Sequence, residues 1–272
     1  MTIRSILVNL DVDHPTGSLL AAAVDLARRL DAKLIGFAAA APPSPEVPIA
    51  AAAMASSWYE NNRAEVESRL AALEGEFEAT VPAQYRTGFL SFVDPPTESL
   101  LGAASMADLI LLGGRPGHGA GSAFSVDLGH LLLGSGRPIL IAAAGVSRID
   151  TDKVIVGWKD TREARRAISD ALPLLQQAKD VTVITLTEGD RAVEQARLTN
   201  VVDWLASHGV AARGEVFSAP GSTVSLADIT RLQDADLVVT GGYGHSRLRE
   251  WFFGGATRDL LAEPTINRLM SN

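Results

Sequence analysis

The chain contains no cysteine, which excludes disulfides, thiol nucleophiles and thiolate metal sites. No uninterrupted apolar run is long enough to cross a bilayer, so no membrane partner is expected. Basic residues are the minority: 24 Lys and Arg against 32 Asp and Glu give a net charge of -8. That balance argues against a nucleic-acid partner, which would want a basic face, while leaving room for a local basic pocket. The amino-terminal stretch MTIRSILVNLDVDH places Asp11 and Asp13 too early for the apolar core of a signal peptide, and a soluble, cytoplasmic protein is expected. His14, His118, His130 and His208 show no metal-ligand spacing, and no G-x-S-x-G serine elbow occurs. No catalytic residue and no metal ligand is therefore assigned.

What is present is a chain of 272 residues, 47 % hydrophobic and 21 % charged, able to bury a sizeable core. Short apolar runs of the kind that form strands buried on both faces alternate with helical periodicity. Strands are predicted at 6–8, 33–37, 84–89, 108–112 and 137–141. Thr16 or Ser18 is a candidate cap for the first helix, a charged helix spans about 58–77, and the Pro/Ala-rich segment 41–57 reads as a loop. The series then begins again, with strands at 154–156, 181–186, 210–217 and 237–240. ADLILLGG (107–114) matches ADLVVTGG (235–242) letter for letter at its ends. The expectation is an α/β fold of two tandem copies of one alternating β/α unit, 1–147 and 148–272, each a parallel sheet with helices on both faces. In such sheets ligands bind beyond the carboxyl ends of the strands, where strand order reverses.

The stretch 235–264 carries the chemistry. After the strand come Gly241 and Gly244, then the basic and aromatic run His245-Ser246-Arg247, then Gly254-Gly255-Ala256-Thr257 opening a short helix. Glycines let main-chain N–H groups approach an anion, and a helix N-terminus offers unpaired donors at its positive end. The spacing Gly241-x2-Gly244-x9-Gly254 is neither the Walker A pattern nor the dinucleotide fingerprint.

On that motif and the twofold strand series the chain resembles the universal stress protein family in its tandem form. The resemblance implies two tandem flavodoxin-like (Rossmann-like) units, each with a five-stranded parallel sheet, and an adenine nucleotide, ATP with a divalent ion such as Mg2+, as ligand. It also implies pairing of units through their last strands (138–142 and 264–271) as an internal pseudo-dimer, with a homodimer as a further option. A regulatory or protective role without robust catalysis follows from the same likeness. The phosphates would lie on Gly241, Gly244, Gly254, Gly255, Ala256 and Thr257, with His245, Ser246 and Arg247 alongside. Trp158, Asp160 and Leu186 would flank adenosine.

Two positions depart from the family pattern. Gly255 stands where a hydroxyl residue is expected, and Thr257 is the nearest substitute. Lys159 stands at the usual aspartate position, beside Asp160. Trp158 either stacks on a base or fills space, and Asp160-Thr161 is equally a helix cap. In the first unit Asp11 is in place, but Gly113-Gly114-Arg115-Pro116-Gly117 does not complete the motif, so that unit is expected not to bind nucleotide. A structural protein without nucleotide and a slow ATPase are the alternatives.

Overall fold

The computed structural model describes residues 2–43, 52–114, 125–218, 225–242, 260 and 263–272. Ten strands form one sheet. In the first half they are β1 (Ser5–Asn9), β2 (Lys33–Ala39), β3 (Arg86–Phe92), β4 (Leu109–Gly113) and β5 (Ile139–Ala142). In the second they are β6 (Lys153–Gly157), β7 (Asp180–Thr187), β8 (Ala212–Ser218), β9 (Leu237–Gly241) and β10 (Asn267–Ser271). The order is β3-β2-β1-β4-β5-β10-β9-β6-β7-β8. Counted from its own first strand, each half runs 3-2-1-4-5, the Rossmann order of the doubly wound folds. Strand order therefore reverses between β1 and β4, and again between β6 and β9. Within each half every pairing is parallel; the halves join through β5 and β10, which run antiparallel with Leu140 opposite Leu269. All residues of both joining strands are buried, and in separate halves each would be an exposed apolar edge.

Helices cover both faces. On one lie α1 (Gly17–Leu30), α2 (Ala52–Thr80), α5 (Arg162–Leu175) and α6 (Arg191–Ser207), packed into a single apolar cluster that runs through both halves. On the other lie α3 (Pro96–Ala103) and α4 (Leu128–Gly134) in the first half, and α7 (Leu226–Leu232) in the second. Alternation along the strands explains the division: Val154 and Val156 join the first layer, and Ile155 between them joins the α7 layer. The charged helix begins earlier than its periodicity predicts and buries a narrow stripe, Val66, Leu70, Leu73 and Phe77, beneath a solvated face. The third strand lies two to three residues later than expected, because as an edge strand it alternates weakly.

The two copies of the ADL triplet have a structural role. Asp108 accepts the main-chain N–H groups of Arg4 at 2.8 Å and Ser5 at 3.0 Å, so the start of β4 holds the start of β1. Asp236 accepts the N–H of Lys153 at 2.8 Å and holds β6 to β9 in the same manner. Polar bonds also fasten each half to the connection of the other. Arg29 of α1 donates to the Ile149 carbonyl at 2.6 Å and to Thr151 Oγ1 at 3.2 Å. Arg166 of α5 reaches back to the Gly136 carbonyl at 2.8 Å. Arg268 is buried on β10 and donates to the Ile266 carbonyl. Desolvation pushes its pKa down to about 10 against the opposing charge of Glu263.

Candidate functional site

The second switch point is built where β6 and β9 end. Beyond Gly157 the chain turns through Trp158, Lys159, Asp160 and Thr161 into α5. Thr161 caps that helix, its Oγ1 accepting from the Ala164 N–H at 3.3 Å, so the capping role holds for it. Asp160 is exposed and ion-paired with Arg165 one turn along the helix. Trp158 is pinned by its backbone to β7: its N–H donates to the Ile184 carbonyl at 2.7 Å, and its carbonyl accepts from Thr185 Oγ1 at 3.0 Å. Its ring is buried in the α5–α6 layer. Leu186, half-buried, packs in the α7 layer instead. The two residues expected to flank one adenosine thus lie on opposite faces of the sheet, and the packing of Trp158 favours the space-filling role.

Gly241 closes β9 against the first turn of α5. A Cβ there would lie 2.5 Å from the Glu163 carbonyl carbon and 2.6 Å from the Ala164 nitrogen, so no larger residue fits without moving backbone. Gly242 is equally close to the first half, where its Cβ would meet Leu132 Cδ2 at 2.4 Å. Its N–H donates to the Ser271 carbonyl, and its carbonyl accepts from Asn272. Close approach to backbone requires glycine at 241, whereas at Gly242 the nearest atom is the end of the Leu132 side chain, which can give way. Glu163, a buried carboxylate beside Gly241, was not singled out by the sequence reading. Only its place in the first helical turn could have suggested it. Gly244, His245, Ser246, Arg247, Gly254, Gly255, Ala256 and Thr257 lie outside the described residues, as do Pro116 and Gly117.

The first switch point is more open. Between the ends of β1, β4 and β5 lies a cleft of about 270 Å³. Asn9, Asp11, His14, Thr16 and Ser18 line it on one side, and Leu112, Val126, Leu128 and 142–146 on the other. Asp11 Oδ1 accepts the Asp13 N–H at 2.8 Å and lies 3.3 Å from His14 Nδ1. Thr16 occupies the cap position of α1 but makes no capping bond, a departure from the role its residue type suggests. No group of three or more His, Asp or Glu positioned to hold a metal ion occurs among the described residues. No helix among them is long and apolar enough to cross a membrane.

Neither a family model nor a curated protein matches the chain. Solved structures do. A universal stress protein from Archaeoglobus fulgidus DSM 4304 matches with a TM-score of 0.71 at 15 % identity, over 98 % of this chain and 96 % of that one. The chain has the universal stress protein fold. A candidate universal stress protein from Pseudomonas aeruginosa UCBPP-PA14 is similar at TM-score 0.60 and 16 % identity, over 99 % and 93 % of the two chains. The cytoplasmic domain of a prokaryotic cation chloride cotransporter is similar at TM-score 0.51 and 11 % identity, over 98 % and 94 %. The universal stress protein fold thus spans the full ten-stranded sheet, not one half of it, and at these identities the likeness concerns architecture.

Proposed function

We propose that this chain is a stress-response binding protein that holds one adenine nucleotide, ATP with a divalent cation, at the glycine loop of its second half. The observation that carries this reading is the position of Gly241. It ends β9, the strand that neighbours β6 at the point of order reversal. The run Gly241-x2-Gly244-x9-Gly254 therefore starts where doubly wound sheets receive their ligands. Main-chain N–H groups from Gly244 to Thr257 would cradle the phosphates, with Arg247 and Ser246 as additional donors. No side chain in this scheme positions a water for attack, so the role is binding rather than turnover. The antiparallel β5–β10 join supports treating the units 1–147 and 148–272 as an internal pseudo-dimer, in the cytoplasm, with or without further homodimerisation.

A second reading is favoured by one observation: close packing against the α5 backbone accounts for Gly241 without a ligand. A protein that has kept this glycine for its fold would bind no nucleotide and act through protein contacts. Titration calorimetry with MgATP on nucleotide-stripped protein separates the two. One site per chain, lost in Gly244→Asp, is the expected result; no heat at millimolar MgATP would leave only the second reading. A turnover assay should give no ATP hydrolysis that depends on Gly244.

A further inference from the structure

We infer that Asn272 is a positioning residue for the glycine loop, a latch that fixes how the chain leaves β9; its effect on affinity rests on the nucleotide reading of the second half. The Asn272 side-chain nitrogen donates to the Gly242 carbonyl at 2.7 Å, and the Gly242 N–H donates to the Ser271 carbonyl at 2.9 Å. Both main-chain polar groups of Gly242 are therefore held by the end of β10 and the residue after it. Arg162, which opens α5, places Nη2 3.5 Å from Asn272 Oδ1. The amide oxygen thus faces the guanidinium, and its nitrogen faces the carbonyl. Separate stretches of chain meet at one peptide group.

The first half shows that the fold does not require this amide. Gly241 pairs with Ser271 across β9 and β10, and Gly113 pairs with Ala142 across β4 and β5, so Ala143 stands where Asn272 does. Gly17 opens α1 as Arg162 opens α5. The backbone bond is common to both halves, since the Gly114 N–H donates to the Ala142 carbonyl at 2.6 Å. The side chains differ: neither Ala143 nor Gly17 has one that can donate a hydrogen bond. The half with the spacing Gly241-x2-Gly244-x9-Gly254 carries both polar side chains, and the half where Gly113-Gly114-Arg115-Pro116-Gly117 breaks it carries neither.

What the latch controls is direction. A peptide group is planar, so holding the Gly242 carbonyl fixes the plane of the bond that leads out of β9. Glycine, with its wide choice of φ and ψ, would otherwise let that plane turn at little cost. A phosphate cradle of main-chain N–H groups works best when those groups are aimed at one point before the anion arrives. Ordering left to the moment of binding is subtracted from affinity. Asn272 acts through Gly242 rather than on the phosphates.

Calorimetry with MgATP and urea unfolding of the nucleotide-stripped full chain test this on Asn272→Ala, Asn272→Asp and Asn267→Ala. Both changes at 272 remove the donor, and Asp keeps the size and the oxygen that faces Arg162. MgATP should bind about three- to tenfold more weakly in each, the loss of roughly one hydrogen bond. Asn267 is the control, an amide on the same strand that donates to the Asp236 carbonyl and accepts the Ala143 N–H, both at 2.8 Å, at the end away from the glycine loop. Asn267→Ala should lower stability and leave MgATP affinity within about twofold. Amide exchange at Gly242, read by NMR without nucleotide, should be at least about threefold faster in Asn272→Ala than in wild type. The inference is overturned by MgATP affinity unchanged in both Asn272 variants, by equal weakening in Asn267→Ala, or by unaltered exchange at Gly242. If wild type binds no MgATP, the nucleotide reading fails by itself and the exchange rate decides the latch: faster in Asn272→Ala upholds it, equal overturns it.

Discussion

Gly241 and Ala164 approach so closely that a methyl carbon on the glycine would sit 2.6 Å from the alanine's backbone nitrogen. The end of β9 and the start of α5 are thereby locked at the second switch point. Gly241→Ala must displace backbone on one side or the other, at a cost of about 1–3 kcal/mol. A Cβ on Gly113, the matching residue of β4, would meet just Leu19 Cδ2 among the described residues, at 3.7 Å, and Gly113→Ala should stay within about 0.5 kcal/mol of wild type. Urea unfolding of both variants checks the contrast.

Asp108 and Asp236 are the repeated letters whose meaning the structure supplies. Each carboxylate holds the first main-chain N–H groups of the strand beside it. Losing charge-assisted bonds to half-buried backbone donors should cost about 1.5–3 kcal/mol in either Asp108→Ala or Asp236→Ala. Similar shifts in the two halves, measured by the same unfolding experiment, are expected. A neutral effect of either substitution would show that its bond is dispensable.

The pH dependence follows from Asp25 on α1. Burial alone would raise its pKa. Hydrogen bonds from Arg28 and Arg29 and the charges of Arg29 and Arg148 outweigh burial and hold it below the ordinary aspartate value. A depressed folded pKa gives stability that is present above the unfolded pKa and lost as pH falls through the folded one. The stability gap between wild type and Asp25→Asn should therefore be constant at neutral pH. It should close only as the pH drops below about 4. A gap that instead opened between pH 6 and 8 would implicate a different group.

Trp158 belongs to the core, with its backbone tied to β7 and its ring in the α5–α6 layer. Trp158→Phe should destabilise the fold by about 1–3 kcal/mol. MgATP affinity should change by less than about threefold, under 1 kcal/mol. A large loss of affinity with little loss of stability would reassign the ring to base stacking.

Much of the architecture is readable in the letters. Buried parallel strands need near-continuous apolar runs, and SILVN, LILLG, KVIVG and LVVTG announce β1, β4, β6 and β9 without ambiguity. Edge strands are harder, because β3 has only one hydrogen-bonded neighbour and exposes most of its residues. The site is less legible. The pattern of glycines does not reveal that Gly241 and Gly242 are hemmed in by α5 and α4, since close approach depends on tertiary distance. Nor does residue type tell that Thr16 sits at a cap position without capping. The contrast between Asn272 and Ala143 is visible in the sequence, but its consequence depends on Gly242, which lies 30 residues before Asn272 in the chain.

Native mass spectrometry of the intact chain, recorded with and without added MgATP, tests the central claim most directly. A single ATP adduct per chain, absent from Gly244→Asp, is the predicted spectrum. A chain that stays bare at saturating MgATP, or an adduct that persists in Gly244→Asp, would contradict it.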